Sequence, residues 1–185
     1  MKRAAFLDRD GVVNKSLLLH GVPQPPSSVS EVEIIEGVKE ALQLLIAGGY
    51  LPVVVTNQPD VARGTTSIAE VEQINSCIGA ATGIQHFYTC FHDDIDQCLC
   101  RKPAPGLLRQ ASDELAINLR ESIMVGDRWR DIEAGQEAGC MSFFIDYSYP
   151  EKQPEMPFTR VSSLQEAAQI VIGESNGARE RFTKS

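Results

Sequence analysis

No apolar run in this sequence approaches the ~18–20 residues that a membrane-crossing helix needs. The longest greasy stretch, residues 42–55, is broken by Gln43, Gly48, Gly49 and Pro52. Met1-Lys2-Arg3 looks like the start of an export signal, but only residues 4–7 are apolar before Asp8. A secretory segment needs ~7–15 such residues, so a cytoplasmic protein is expected. Positive charge is scarce too: 17 Lys and Arg against 25 Asp and Glu give 17 − 25 = −8. A surface of that sign repels nucleic-acid phosphates and anionic lipid, so neither is an expected partner. There is no G-x-x-x-x-G-K-[ST] loop and no G-x-G-x-x-G fingerprint, which leaves nucleoside triphosphatase and dinucleotide-binding readings without support.

What remains is a globular chain of 185 residues, 43% hydrophobic and 23% charged, enough for one domain with a real core. Short apolar runs alternate with helical periodicity, which predicts an α/β fold with a mostly parallel sheet. Strands are expected at 4–7, 51–55, 84–89, 122–125 and 141–145. Helices are expected from Gly37 to Gly48, from the Ser67-Ile-Ala-Glu70 capping box to about Ala81, and from Pro105 to Ala116. Two more follow, over 130–138 and from Ser163 to about Ile172. Residues 14–33, with three prolines and four serines, read as a flap. Residues 146–158 read as a connection, and 176–185 as a frayed polar tail, leaving residues 1–175 as one domain.

The chemistry falls at strand ends. Asp8 and Asp10 follow the first strand, Thr56 and Asn57 end the second, and Asp127 follows the fourth. In a parallel sheet these ends converge on one edge, where such folds bind ligands. An Asp on a rigid strand end can attack phosphorus, and a second Asp two residues later can serve as acid and base. Gly11 lets the chain turn away at once. Carboxylates crowded together repel, and Mg²⁺ held by Asp8, Asp10 and Asp127 would relieve this. Asp131 is either an outer partner of that ion or an acidic residue favoured by the first turn of a helix.

Four segments, Asp8-Arg-Asp-Gly-Val-Val-Asn14, Thr56-Asn57-Gln58, Lys102-Pro103 and Gly126-Asp127-x-x-x-Asp131, resemble in order the four motifs of the haloacid dehalogenase superfamily of phosphatases. The resemblance covers about residues 4–145. It implies a Rossmann-like parallel sheet with helices on both faces and no large cap domain. It also implies Asp8 as nucleophile, Asp10 as acid and base, Thr56 and Lys102 on the phosphoryl group, and Mg²⁺ at the acidic motif. A hydroxyl and an ammonium suit oxygens whose charge must be stabilised during phosphoryl transfer.

Cys90-x-His92-x₅-Cys98-x-Cys100 places four soft ligands within eleven residues of an Asp-rich loop, 90–101. In a reducing compartment that set suits a closed, structural tetrahedral Zn²⁺. Cys77 and Cys140 lie on apolar segments and read as core. The run into Arg101-Lys102-Pro103 makes the chain similar to the branch of the superfamily that holds heptose bisphosphate and histidinol-phosphate phosphatases. Thr56-Asn-Gln-Pro-Asp-Val-Ala-Arg63-Gly64 looks most like the heptose branch, with Pro59 and Asp60 standing where Ser and Gly are usual.

From that resemblance the expected substrate is the 7-phosphate end of D-glycero-D-manno-heptose 1,7-bisphosphate, with histidinol phosphate or another small sugar phosphate as the alternative. Asn57, Gln58, Arg63 and Arg101 are the candidate substrate-binding residues. His20 lies in the flap and reads as solvated. A receiver-like phospho-accepting domain would want its acceptor Asp on a middle strand, whereas the second strand here ends in Thr56. A monomer acting on a small phosphorylated molecule is the expectation.

Overall fold

A computed structural model describes residues 1–19 and 21–182, with side chains through residue 173; His20 and 183–185 lie outside the described residues. The elements are β1 (Arg3–Leu7), β2 (Leu17–Leu19), β3 (Val22–Gln24), α1 (Val38–Ala47), β4 (Tyr50–Asn57), α2 (Ile68–Thr82) and β5 (His86–Cys90). They continue with α3 (Gly106–Leu115), β6 (Ile123–Gly126), α4 (Trp129–Ala138), β7 (Met141–Ile145), β8 (Thr159–Val161) and α5 (Leu164–Phe182). Six strands form one parallel sheet in the order β5-β4-β1-β6-β7-β8. The chain starts at β1, builds outward through β4 and β5, then returns to β1's other side with β6. That reversal makes the C-terminal ends of β1 and β6 the switch point, where a crevice opens.

Helices cover both faces because the strands are apolar on both. In β1, Ala5 and Leu7 face one core with Leu42 and Leu45 of α1, Ile74 and Ile78 of α2, and Ala167 and Ala168 of α5. Ala4 and Phe6 alternate to the other core, with Leu107, Leu108 and Ala111 of α3 and Ala134 of α4. Two helix starts form as the sequence predicts. Ser67 and Glu70 form the reciprocal capping box of α2, and Ser163 Oγ accepts from the Glu166 amide at 3.1 Å. Cys140 is buried and Cys77 half-buried, both as free thiols.

Three segments depart from the sequence reading. β8 lies just past the expected connection, a three-residue edge strand whose Thr159 and Arg160 are exposed. So short a strand shows no alternation to read. The flap holds a hairpin, β2 with β3, that leaves Leu17, Leu18 and Leu19 exposed. The last helix reaches Phe182, beyond Ile172 and through most of the expected tail. A G-x-S-x-G spacing at Gly173–Gly177 falls inside this helix. It is not at a strand-to-helix turn, so it makes no nucleophile elbow. Among the described residues, no helix is long and apolar enough to cross a membrane.

Leu45 is fully buried at the centre of the first core. Leu45→Ala should lower unfolding free energy by ~2–5 kcal/mol, measured by urea denaturation. A loss too small to measure would mean α1 does not seal that face of the sheet.

Candidate active site

β1, β4 and β6 deliver Asp8, Thr56 and Asp127 to one end of the sheet, as their positions just past or at strand ends predict. Lys102 arrives from the loop after β5. Its ammonium is buried and contacts Asp8 Oδ1 at 2.6 Å, the Val55 carbonyl at 2.7 Å and Asp131 Oδ1 at 2.6 Å. The loop that carries it is clamped by Asn57, which donates to the Lys102 carbonyl at 3.0 Å and accepts from its amide at 3.1 Å. Burial alone would favour a neutral amine, but Asp131 and Asp8 outweigh it and hold Lys102 charged.

Asp8, Asp127 and Asp131 bring carboxylate oxygens within 4.8 Å of one another. Three carboxylates thus face one ammonium. Burial pushes the Asp8 carboxyl up to about 7, against the pull of Lys102 and with help from Asp131 and Asp10. Burial and the charges of Asp8 and Asp131 likewise raise Asp127. Neither Asp127 oxygen has a hydrogen-bond partner in its buried position. Tyr149 comes near enough to offset its shift in part, without hydrogen-bond geometry. A buried, orphaned carboxylate in an all-oxygen cluster fits a hard divalent cation such as Mg²⁺. Two glycines make room for it. A Cβ on Gly11, at φ +90°, would fall 2.1 Å from Asp127 Oδ2, and one on Gly126 would fall 2.1 Å from Asp131 Cβ.

Asp10 stands apart from this cluster. Its carboxylate accepts from Arg9 Nε at 3.2 Å, Asn14 Nδ2 at 2.9 Å and Gln58 Nε2 at 2.8 Å. Gln58 also donates to Thr56 Oγ1 at 2.9 Å, so it positions two groups of the site from beneath. Arg9 is fully buried and is tied to Asn75 on α2. Asp131 does two things at once: Oδ1 pairs with Lys102, and Oδ2 caps α4 by accepting from the Arg128 amide at 2.9 Å.

The cysteines and histidine of the Asp-rich loop also meet. Sγ atoms lie 3.2 Å apart for Cys90 and Cys100, 3.4 Å for Cys98 and Cys100, and 3.7 Å for Cys90 and Cys98. His92 Nδ1 is 3.3 Å from Cys100 and 3.5 Å from Cys90. Tetrahedral thiolates on zinc stand ~3.8 Å apart, so this donor set fits that ion with little adjustment. The Arg101 amide donates to Cys98 Sγ at 3.3 Å. Burial raises the Cys98 thiol, but hydrogen bonds from Cys100 and from that amide outweigh it and bring the thiol down to about 7.

Asp8, Asp10, Thr56, Lys102 and Asp127 line an open cleft of ≈ 310 Å³. Arg63 and Arg101 line it, together with Arg128 and Arg130, which the sequence reading missed. Arg63 forks onto Asp93 at 2.7 and 2.8 Å. Arg101 reaches Asp94 at 2.8 Å, and Arg128 pairs with Glu151. Asp60 lies 3.4 Å from Arg63.

The chain is similar to known proteins. The "HAD-hydrolase-like" family model matches residues 99–153. The D-glycero-beta-D-manno-heptose-1,7-bisphosphate 7-phosphatase of Pasteurella multocida is 40% identical over 149 residues, 75% of this chain and 78% of its own. The chain belongs to the HAD-like phosphatases. A D-glycero-alpha-D-manno-heptose-1,7-bisphosphate 7-phosphatase from Photorhabdus laumondii is 33% identical over 82% of this chain and 87% of its own. Among solved structures, the D,D-heptose 1,7-bisphosphate phosphatase of B. bronchiseptica, complexed with magnesium and phosphate, superposes with a TM-score of 0.80. It is 26% identical, over 94% of this chain and 99% of that one.

In the metal-free phosphatase, raising pH through about 7 forces charge onto Asp8 in a crowded, buried cluster. A metal needs that same ionised form. The rise in melting temperature caused by Mg²⁺ should therefore be larger at about pH 8 than at about pH 5.5. A shift that does not vary with pH would mean these carboxylates do not hold the ion.

Proposed function

We propose that this phosphatase removes the 7-phosphate of D-glycero-D-manno-heptose 1,7-bisphosphate through an aspartyl phosphate on Asp8. The observation that carries the reading is the 2.6 Å contact that aims Lys102 at Asp8, in a chain 40% identical to a heptose bisphosphate phosphatase. An Asp8 oxygen forms a bond to phosphorus as the bond from phosphorus to the C7 oxygen breaks, and Asp10 gives the departing oxygen its proton. Asp10, now ionised, takes a proton from water. That water attacks phosphorus and releases phosphate, leaving Asp8 as it began. Lys102 and Thr56 meet the equatorial oxygens. Mg²⁺, held by Asp8 and Asp127 when bound, adds positive charge where the phosphoryl oxygens must approach carboxylates.

Four arginines on the rim offer guanidinium donors that a second phosphate can use and the ammonium of histidinol phosphate cannot, which favours a substrate with two phosphates. The same reading assigns structural zinc to Cys90, His92, Cys98 and Cys100. Its support is the sulfur spacing and the Arg101 amide on Cys98. Zinc there would fix the direction of Arg101 and Lys102, which follow directly.

Asp8→Asn should abolish turnover while the protein stays folded, because an amide does not attack phosphorus. Asp10→Asn should lower kcat by ~10²-fold. Near-normal Mg²⁺-dependent hydrolysis by Asp8→Asn would refute the mechanism. Elemental analysis should find about one zinc per chain, and Cys100→Ser should lower zinc content and melting temperature together. Zinc-free protein with an unchanged melting temperature would remove that site.

A further inference from the structure

The proposed mechanism leaves one buried cation without a task. Arg9 stands between Asp8 and Asp10 in sequence, and its side chain is wholly shielded from solvent. Among the described ion pairs its carboxylate partner is Asp10. Arg9 Nε straddles that carboxylate, 3.2 Å from each oxygen, and NH2 lies 3.0 Å from Oδ2. NH1 donates instead to Asn75 Oδ1 at 3.0 Å, and Asn75 Nδ2 donates to Thr89 Oγ1 at 3.3 Å. Asp10 is thereby linked through Arg9 to α2, and through Asn75 to β5.

Stability alone does not account for this chain of contacts. Asn75 shares the buried face of α2 with Val71, Ile74 and Ile78, a setting that favours an apolar side chain over an amide. A buried guanidinium is costlier still, and well-packed apolar residues of similar volume often stabilise a fold as well as a buried ion pair does. What the chain does achieve is to fix a carboxylate. Asn14 meets Oδ1 and Gln58 meets Oδ2, whereas Arg9 Nε spans both oxygens. The Asp10 carboxylate cannot turn without leaving this planar donor, and Asn75 keeps the donor from following it.

We infer that Arg9 is a positioning residue for proton transfer: braced against α2 by Asn75, it holds the Asp10 carboxyl at the angle from which the departing C7 oxygen takes its proton. Asp10 lines the cleft with 14% of its side chain exposed, so it reaches the substrate while Arg9 stays out of contact behind it. The need for such a brace is geometric. A proton donor must meet its acceptor at hydrogen-bond distance, and a misplacement of ~1 Å can cost ~10²-fold in rate. Asn75 belongs to the same device from a helix that carries no reacting group.

This inference rests on the proposed acid role of Asp10, and one readout separates the two. The constant kcat/KM covers steps up to departure of the leaving oxygen, so the later work of Asp10 on water does not enter it. A sugar oxygen needs a proton as it leaves; p-nitrophenolate leaves without one. The ratio of kcat/KM for the heptose bisphosphate to that for p-nitrophenyl phosphate therefore measures proton donation. Asp10→Asn should lower this ratio ~10²-fold, and a ratio that stays put in that variant would sink the acid role itself. Given that drop, Asn75→Leu should lower the ratio about tenfold. Arg9→Lys, which keeps the charge but not the planar fork, should lower it by about tenfold or more. An unchanged ratio in Asn75→Leu, with both substrates slowed alike or neither slowed, would overturn the inference and leave Arg9 and Asn75 as parts of the fold. Asn75 borders an open groove between α2 and β5, which gives the new side chain room, so this variant decides the matter even if Arg9→Lys fails to fold.

Discussion

One buried ammonium organises this molecule. Lys102 sits where three strands end, and it neutralises Asp8 on one side and Asp131 on the other. Bringing carboxylates and an amine out of water is costly unless each finds partners. The fold supplies them in order: the Val55 carbonyl from β4, Asp8 beyond β1, and Asp131 on the first turn of α4. Asn57 fixes the loop that carries the lysine by bonding both its backbone groups. Removing the lysine would leave Asp8 and Asp131 crowded in the interior without their cation, so the strand ends and the loop that carries Lys102 hold one another in place.

Much of this site can be read in the sequence because its residues stand at the ends of apolar strands. Asp8, Thr56 and Asp127 are polar residues that stop a buried run, and a parallel sheet brings such stops together. The four zinc-ligand candidates are legible for a different reason: they are local, and their spacing alone describes a loop closing on itself. What the sequence hides depends on contacts between distant segments. Arg130 meets Asp94 from 36 positions away, and Arg128 meets Glu151 from 23. In sequence each is an ordinary charged residue near a helix start. Asp131 is half visible: its place in the first turn is a local matter, but its bond to Lys102 is not. β8 escapes notice because three residues, two of them exposed, carry no periodicity.

The cleft divides into two electrostatic regimes. At its floor, negative charge exceeds positive, and Asp127 keeps both oxygens unpartnered in a dry setting. At its rim, every arginine has an aspartate or glutamate against it. The floor thus fits a metal and a phosphoryl group, while the rim keeps its arginines paired with the protein's own carboxylates. The Asp-rich loop links the two. It carries Asp93 and Asp94 to the rim, leads directly into Arg101 and Lys102, and has the Cys/His cluster at its base.

The central claim is that Asp8 becomes covalently phosphorylated. Its most direct test is to quench the enzyme in acid during turnover, reduce with borohydride, and sequence the N-terminal peptide by mass spectrometry. An acyl phosphate at Asp8 is reduced to homoserine, so homoserine at position 8 is the expected result, formed only when substrate is present. Steady phosphate release with position 8 recovered solely as aspartate, or conversion at Asp10 or Asp127 instead, would contradict the account.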